Sequence, residues 1–223
     1  MNEIEIVEIY TTFLIGKGVE FYENGFPKFK PDWIIKNRPK IIVPFYKRHY
    51  YKTNKKDISI CYFSKDEHLY PRFKNVFKEI EILKEYHSVC MMDISISPYM
   101  LDEVQRMNLL INLLYTCVLA VNGIKVIPSL RTGNFETLTL LMKSIQYSKF
   151  WVMGIVGTQK AKDNAISELN FKTKCLLISP EEVLCYGKPN NKTTACLQEY
   201  GVEFKPIYKD FRSLCYTGEI NDW

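Results

Sequence analysis

The sequence predicts an α/β protein built on a mostly parallel sheet. From residue 41 onward, short β-rich apolar runs alternate with longer segments of helical period. Most of the runs are apolar on both faces, as strands covered by helical layers must be. Strand–helix alternation with right-handed crossovers then gives parallel strands. About seven or eight strands in 223 residues, somewhat below the roughly 250 residues of a typical barrel, would make a small or incomplete (β/α) barrel. This form is narrowly favoured over the alternative, an open doubly wound sheet.

The predicted elements follow one another along the chain. The strands are residues 41–46, 58–63, 88–94, 125–130, 150–156, 174–179 and 203–207. The helices are residues 73–86, 101–122, 135–148, 162–171 and 193–201, all with apolar residues at three and four spacing. Asn134 is the predicted N-cap of one helix, and Gly123 follows another as its C′ residue. Residues 1–40, with Gly16, Gly18 and four further Gly or Pro, are predicted to be mostly irregular.

Composition predicts one folded domain spanning residues 1–223. Hydrophobic residues make up 47% and charged residues 25%, which is typical of a globular protein and not of a disordered one. The net charge of +5 favours anionic partners mildly, without the intensity of a dedicated nucleic-acid protein.

Cysteine usage and the absence of an apolar leader predict a cytoplasmic protein. The seven cysteines are an odd number and form no CxxC pair, which indicates reduced thiols with no disulfide framework and no structural zinc. The N-terminus MNEIEIVEIY is acidic and lacks the pattern of a signal peptide. No run reaches the ~18 uncharged apolar residues of a membrane span, so no membrane partner is expected.

Polar residues follow several of the predicted strands. In either architecture, ligands bind outside the carboxyl ends of the strands, where loops meet helix N-termini. The polar residues that one rim would collect are Asp66, Glu67 and His68 after the second strand, Asp93 and Ser95 at the end of the third, Arg131 and Asn134 after the fourth, and Thr158 after the fifth.

The side chains in this set could serve acid/base catalysis, metal binding or phosphate binding. Asp93, Asp66, Glu67 and His68 could act as general acids and bases, and Asp66 with Asp93 could hold a divalent cation. A phosphate-bearing ligand would use Arg131, together with polar groups of Ser95, Asn134 and Thr158. The motif GTQK that contains Thr158 lacks the spacing of a Walker motif. The residues fit either an enzyme or a binding site, and no cofactor beyond a divalent metal is indicated.

Structural interpretations of the same residues stand beside the functional ones. Asp66 could begin a turn, and Glu67 could favour the first turn of a helix through the helix dipole. A carboxylate that emerges from a buried strand must be paired or functional, so Asp93 could instead form an ion pair with Arg131 that holds two strand ends together.

One basic stretch, YKRHYYKTNKK at residues 46–56, interleaves tyrosines with cations and contains no acid. Stacking faces and positive charges are what single-stranded nucleic acid binds, which makes Lys47, Arg48 and Lys52 a candidate patch. A solvated loop between two strands explains the stretch equally well.

Residues 28–160 contain the segments KPDWII, IIVPFYK, CYFSKDEHLYPRFKNV, HSVCMMDISISPYM and NLLINLLYTCVLAVNGIKVIPSLRTGNFE. In these segments the chain resembles a family of uncharacterised proteins that share a domain of unknown function and occur in phages, prophages and other mobile elements of Firmicutes. The positions that match the family pattern are Asp66, Asp93 with Ser95, Asn108 or Asn112, and Gly123, Ile124, Val126, Ile127 and Pro128. The chain departs from that pattern at Met92, in place of proline, and at Ile94, in place of an aromatic residue.

Two functions of different classes follow. The resemblance implies an accessory protein of a phage or mobile element. With the rim, it suggests a protein that binds a nucleotide or nucleic-acid end during replication or against a host defence. The alternative is a non-catalytic inhibitor or adaptor that binds a host protein, which the 14% aromatic content favours because aromatics dominate interface energetics.

Overall fold

The protein is described from a computed structural model that covers residues 1–50, 54–155 and 165–216. Within these ranges the helices are α1 Glu3–Gly16, α2 Asp66–Leu83, α3 Asp102–Val121, α4 Phe135–Ser144, α5 Ala165–Ile178, α6 Asn191–Glu199 and α7 Phe211–Tyr216. The strands are β1 Ile41–Pro44, β2 Ile58–Cys61, β3 Ser88–Cys90, β4 Val126–Ile127, β5 Phe150–Gly154 and β6 Glu182–Tyr186. Short 3-10 helices cover Pro31–Trp33, Phe45–Tyr50 and Lys55–Asp57.

All the strand pairs are parallel and follow the order of the chain. Strands β1 to β4 form one sheet in the order β1-β2-β3-β4, and β5 pairs with β6. A parallel bridge between Ser129 and Val152 joins the two sheets, and the Val152 amide donates to the Pro128 carbonyl at 2.8 Å. The predicted α/β fold with a mostly parallel sheet is confirmed.

The side chains inside the curve of these strands form one apolar cluster to which every strand contributes. Its buried members are Ile35, Ile42, Cys61, Cys90, Ile127, Phe150, Val152, Leu184, Tyr186 and Tyr208. Beyond β6, residues 203–208 continue the parallel order through bridges at Glu203 and Tyr208. The Tyr208 hydroxyl then donates to the Pro39 carbonyl at 2.7 Å, just before β1. Within the described ranges no backbone ladder joins this segment to β1, so the arrangement is that of an incomplete barrel.

A second, larger cluster lies between the strands and the outer helices. Helix α3 is its centre, since twelve of its residues are buried, including Leu109, Leu113 and Val118. The same helix is the single described helix that is long and apolar enough to cross a membrane, and most of it is buried inside the fold, as in the core helix of a soluble protein. All seven cysteines are free, and six of them are buried.

The prediction that residues 1–40 are mostly irregular is wrong for the first part of this segment, which forms α1. The Asn2 side chain accepts a hydrogen bond from the Glu5 amide, and Glu5 bonds back to the Asn2 amide, which completes a capping box. Ile6, Tyr10 and Leu14 lie on one face and are buried. The alternation of Glu and Ile at the start of the segment hides this helical period.

The predicted strand at 174–179 is also wrong, because residues up to Ile178 belong to α5. A short apolar run such as KCLLIS fits a strand or a helix, and flanking signals must decide between them. The strand that follows β5 in the sheet is β6, which begins eight residues after the start of the predicted strand and was not predicted from the sequence. The predicted strand at 203–207 is reduced to the two bridges beside β6.

Helix α2 begins at Asp66, seven residues before its predicted start. Pro71 lies inside the helix and removes one backbone hydrogen bond there. Phe73, Val76, Ile80 and Leu83 supply the buried face that stabilises the helix. Asn134 caps α4, as predicted, by accepting from the Thr137 amide at 2.9 Å, and Gly123 has the expected positive φ of 91°.

Candidate functional site

The ends of β3 and β4 are joined by an ion pair between Asp93 and Arg131. Arg131 Nε donates to Asp93 Oδ1 and one of its terminal nitrogens to Oδ2, each at 2.8 Å. The Asp93 side chain is 3% exposed, and that of Arg131 is 29% exposed. Burial raises the pKa of Asp93 against the opposing pull of Arg131, while the charge of Asp93 raises the pKa of Arg131. The structure therefore contains the ion pair that stood as the structural alternative for these residues.

Asp66 lies beside this pair, at the first residue of α2. Its Oδ1 accepts hydrogen bonds from both the amide and the hydroxyl of Ser95, each at 3.1 Å. Its negative charge contributes to the raised pKa values of Asp93 and Arg131. The sequence analysis placed Asp66, Ser95, Asp93 and Arg131 on one rim, and the structure brings these four together.

A polar stripe on α3 holds the chain that carries Asp93. Asn112 bonds to both the amide and the carbonyl of Ile94, at 2.9 and 3.0 Å. Thr116 accepts from the Met92 amide at 3.1 Å, and Asn108 donates to the Ser95 carbonyl at 2.9 Å. These three residues lie four apart, so they share one face of the helix. The last ladder bond of β3 runs from the Met91 amide to the Ile127 carbonyl, and beyond it these side chains bond the backbone of residues 92–95 and keep Asp93 in place.

Glu67 and His68, predicted as acid/base residues, lie in the first turn of α2 with side chains 65% and 62% exposed. Glu67 contacts Lys65 at 3.5 Å and His68 at 3.7 Å. Within the described residues, the hydrogen bonds and ion pairs of these two side chains do not reach Asp93 or Arg131. The structure thus places them on the solvent side of α2, and a catalytic role for them stays a prediction.

Arg131 begins a short loop, Arg131–Asn134, that leads from β4 into α4. Buried Gln105 of α3 holds the loop, because its Oε1 accepts from the Asn134 amide at 2.7 Å and its amide group donates to the Met100 carbonyl at 2.8 Å. Gly133 is required here, since a Cβ at this position would lie 1.9 Å from Gln105 Oε1. The Asn134 side chain also donates to Asp102 at 2.7 Å, which ties the starts of α3 and α4 together.

Helix α5 supplies a second cation to the same loop. Lys174 Nζ donates to the Thr132 carbonyl at 3.0 Å, and Asn170, one turn earlier, donates to the Gly133 carbonyl at 3.2 Å. Burial and the positive charge of Arg131 lower the pKa of Lys174 to about 8. The Thr132 hydroxyl is buried and has no hydrogen-bond partner within the described part of the chain. Lys174 is not among the predicted site residues, because the sequence predicts a strand for its segment.

Two predicted residues lie outside the described residues, namely Thr158 of the proposed ligand site and Lys52 of the basic patch. The other two members of that patch have contacts within the fold. Lys47 lies over the rings of Tyr50 and Phe211, at 4.7 and 4.6 Å. Arg48 stacks 4.0 Å from the Phe45 ring and donates to the Phe45 carbonyl. Nucleic-acid binding at this patch stays a prediction, and the structure shows Lys47 and Arg48 half-buried rather than fully solvated.

Oxygen ligands for a metal are largely engaged at the rim. Both carboxylate oxygens of Asp93 accept from Arg131, and Oδ1 of Asp66 accepts from Ser95. Among the described residues, no three His, Cys, Asp or Glu side chains come close enough together to share a metal ion. The metal role predicted for Asp66 and Asp93 therefore gains no support from this geometry.

Fold and rim together define the class of protein. It is a small α/β protein whose parallel strands end at a shared rim, where an arginine, a lysine and a buried carboxylate meet. The chain belongs to the family described as Domain of unknown function (DUF4417), whose model matches residues 19–205. No curated protein and no solved structure matches the chain significantly.

Proposed function

We propose that the protein binds a phosphate-bearing ligand, a nucleotide or a nucleic-acid end, at the loop Arg131–Asn134. The observation that carries this proposal is the position of Lys174. It lies close enough to Arg131 for the positive charge of the arginine to lower its pKa, and within the described residues it contacts no carboxylate.

Two like charges in a partly buried place oppose each other, and in the part of the chain that the structure describes no ion pair of Lys174 offsets this repulsion. Asp93 is fully engaged by one edge of the Arg131 guanidinium, through Nε and one terminal nitrogen. Within the described residues, no hydrogen bond engages the other terminal nitrogen of Arg131, and Lys174 Nζ makes a single one, to the Thr132 carbonyl, so donors remain for an external acceptor. A phosphate would neutralise both cations and accept several charge-assisted hydrogen bonds.

In this proposal Asp93 is a positioning residue that orients Arg131, with Asp66 and Ser95 supporting the segment that carries it. The resemblance to proteins of phages and mobile elements suggests the setting: a cytoplasmic accessory protein that acts in replication or against a host defence. General acid or base catalysis by Asp93, Asp66, Glu67 or His68, with or without a divalent metal, would be an addition to this binding function.

Inorganic triphosphate is the probe that tests the binding site, since it carries the charge and no other group. Isothermal titration calorimetry should show binding to the native protein, and binding should raise its thermal stability, because a ligand bound only by the folded state stabilises it. Lys174→Met should abolish most of the affinity while leaving the chain folded. Lys172→Met is the matched control, since Lys172 lies on the same helix and pairs with Glu199 at 3.3 Å.

The proposal fails if triphosphate does not bind to the native protein, or if Lys174→Met and Lys172→Met bind it equally well. Titration at several salt concentrations adds a second criterion. The affinity of a site made of two cations must fall as salt rises, and an affinity that ignores salt contradicts the proposal.

The rival function, a non-catalytic protein that docks on a host protein, is favoured by a different observation. Several large apolar side chains on α1 and α2 are exposed, among them Ile4 at 64%, Ile15 at 61% and Phe77 at 42%. Exposed apolar residues in a group are typical of contact surfaces. A protein captured from host cells, and released when Ile15 and Phe77 are both replaced by serine, would support this rival.

A further inference from the structure

Two large apolar side chains are exposed beside the cationic loop. Leu101, the N-cap residue of α3, is 73% exposed, and Phe135, the first residue of α4, is 66% exposed. The hydrogen bond of 2.7 Å between Asn134 and Asp102 holds these two helix starts together. We refer to Leu101 and Phe135 as the apolar platform.

The platform brings the fold no evident stability. Leucine is a poor N-cap, since it has no oxygen to accept a hydrogen bond from the first turn, and α3 indeed lacks a side-chain cap. Both side chains leave most of their apolar surface in water. Residues that break local rules without a structural gain are expected at functional sites.

The platform and the two cations lie at opposite ends of one short loop. Phe135 is three residues beyond Thr132, whose carbonyl accepts from Lys174, so their Cα atoms are at most about 11 Å apart along the chain. On the far side of the loop, Leu169 is 65% exposed and directly precedes Asn170, which donates to the Gly133 carbonyl. Apolar side chains therefore flank the place where a ligand held by Lys174 would extend.

The charges around the loop are separated. At the platform end three carboxylates are exposed, Asp102, Glu103 and Glu136, and one cation, Arg106, lies 3.9 Å from Glu136. At the other end lie the cations Arg131 and Lys174, with Asp93 paired to Arg131. Phosphate groups are repelled from the platform and attracted to the cations. A ligand that matches both ends carries its negative charge at one end and a flat, weakly charged group at the other.

We propose, on the basis of the phosphate-binding function above, that the ligand is a nucleoside that carries terminal phosphates. Its phosphates contact Lys174 and the outward edge of Arg131, and its base stacks on Phe135 beside Leu101. Free nucleotides and the 5′-phosphorylated end of a single strand share this chemistry, and stacking on an aromatic ring accepts any base.

Calorimetry with ATP and with inorganic triphosphate separates the platform from the cations. The native protein should bind ATP more tightly than triphosphate. Phe135→Ala should weaken ATP binding by roughly 5- to 150-fold, the range for loss of one base stack, and leave triphosphate binding unchanged. Leu101→Ser should also weaken ATP binding, and because serine is a good N-cap this variant is not expected to unfold. Leu176→Ala, at a residue 61% exposed on α5, is the control and should bind both ligands normally.

Each result has a definite meaning. Triphosphate that binds as tightly as ATP, or ATP binding that is unchanged in both platform variants, overturns this inference and leaves the phosphate-binding proposal standing. Absence of binding for both ligands overturns the two proposals together. If Phe135→Ala releases a captured host protein and leaves ATP binding intact, the platform is a protein contact and the inference is wrong. A 5′-phosphorylated oligonucleotide that displaces ATP supports the inference and identifies a strand end as the source.

Discussion

Arg131 forms a bidentate ion pair with Asp93 through two hydrogen bonds of 2.8 Å, and this ion pair joins the carboxyl ends of β3 and β4. The carboxylate is almost wholly buried and the guanidinium is not. One edge of the guanidinium is thereby fixed to the fold, while the other terminal nitrogen makes no hydrogen bond within the described residues. The pair serves the fold and, in the proposed function, orients the arginine that binds the ligand.

Replacing Asp93 by Asn should destabilise the protein strongly. Removal of one partner of a buried ion pair leaves the other charge uncompensated, which typically costs about 3–5 kcal/mol. Because Arg131 keeps some contact with water, we expect the lower end of this range in urea unfolding. Glu67→Gln, at a residue 65% exposed in the adjacent helix turn, should change stability by less than about 0.5 kcal/mol. Equal stability of the two variants would contradict the structural role of the pair.

Asn112→Leu should uncouple the segment that carries Asp93 from α3. The side chain satisfies both the amide and the carbonyl of Ile94, and each buried group left unsatisfied costs about 1–3 kcal/mol. The unfolding free energy should therefore fall by roughly 2–6 kcal/mol, and the Ile94 amide should exchange its hydrogen faster. Asn122→Leu, on the same helix, removes a single bond to the Val118 carbonyl and should have a small effect. If the Ile94 amide exchanged at the same rate in Asn112→Leu as in the native protein, Asn112 would not be what holds this segment.

Gly133→Ala should distort the loop Arg131–Asn134. The added methyl would lie 1.9 Å from Gln105 Oε1, and Gln105 has little freedom because it is buried and bonded at both ends. We expect a loss of about 1–3 kcal/mol, as for other overpacked sites, and weaker triphosphate binding. Gly16→Ala meets no atom within 4 Å and should be neutral or slightly stabilising. Gly133→Ala should cost less in a Gln105→Ala background than in the native chain, and an equal cost in both backgrounds would exclude this clash as the cause.

Stability should depend on pH through Lys174. Its pKa is lowered from the usual value of 10.5 to about 8, so between these pH values the unfolded chain binds more protons at this residue than the folded chain does. This residue therefore makes stability rise as the pH increases from about 8 to 10.5. Relative to Lys174→Met, the native protein should be less stable at pH 7 and should regain stability at pH 10. The measurement is urea unfolding of both chains at pH 7 and at pH 10. The other titrating groups affect both chains equally, so they cancel in the difference between the two unfolding free energies. A difference that does not change with pH would refute the lowered pKa of Lys174.

The elements with a strong local signal were predicted correctly. Strands β1, β2 and β5 begin at their predicted first residues, and α3 matches its prediction within a residue at each end. These strands are short β-rich runs that are apolar on both faces, and the helix has a period near 3.6 and ends just before Gly123. The juxtaposition of Asp66, Ser95, Asp93 and Arg131 was also predictable, because parallel strands in chain order place their carboxyl ends at one rim.

The local sequence around Lys174 did not determine the secondary structure of that segment. Its residues KCLLIS suit a helix and a strand equally, and only the packing of Cys175 into the core beside α6 selects the helix. The same choice moves the strand to 182–186 and carries Lys174 to the Thr132 carbonyl.

By itself, the sequence determined the alternation of strands and helices, the parallel sheet and the rim on which Asp93 lies, because these follow from periodicities of a few residues. Tertiary structure decided which groups meet at that rim. It paired both oxygens of Asp93 with Arg131, left Glu67 and His68 in solvent, and added Lys174 from a helix more than forty residues further along the chain. These contacts depend on how elements that are distant in sequence pack together and on which buried charges are paired. No local sequence pattern contains that information.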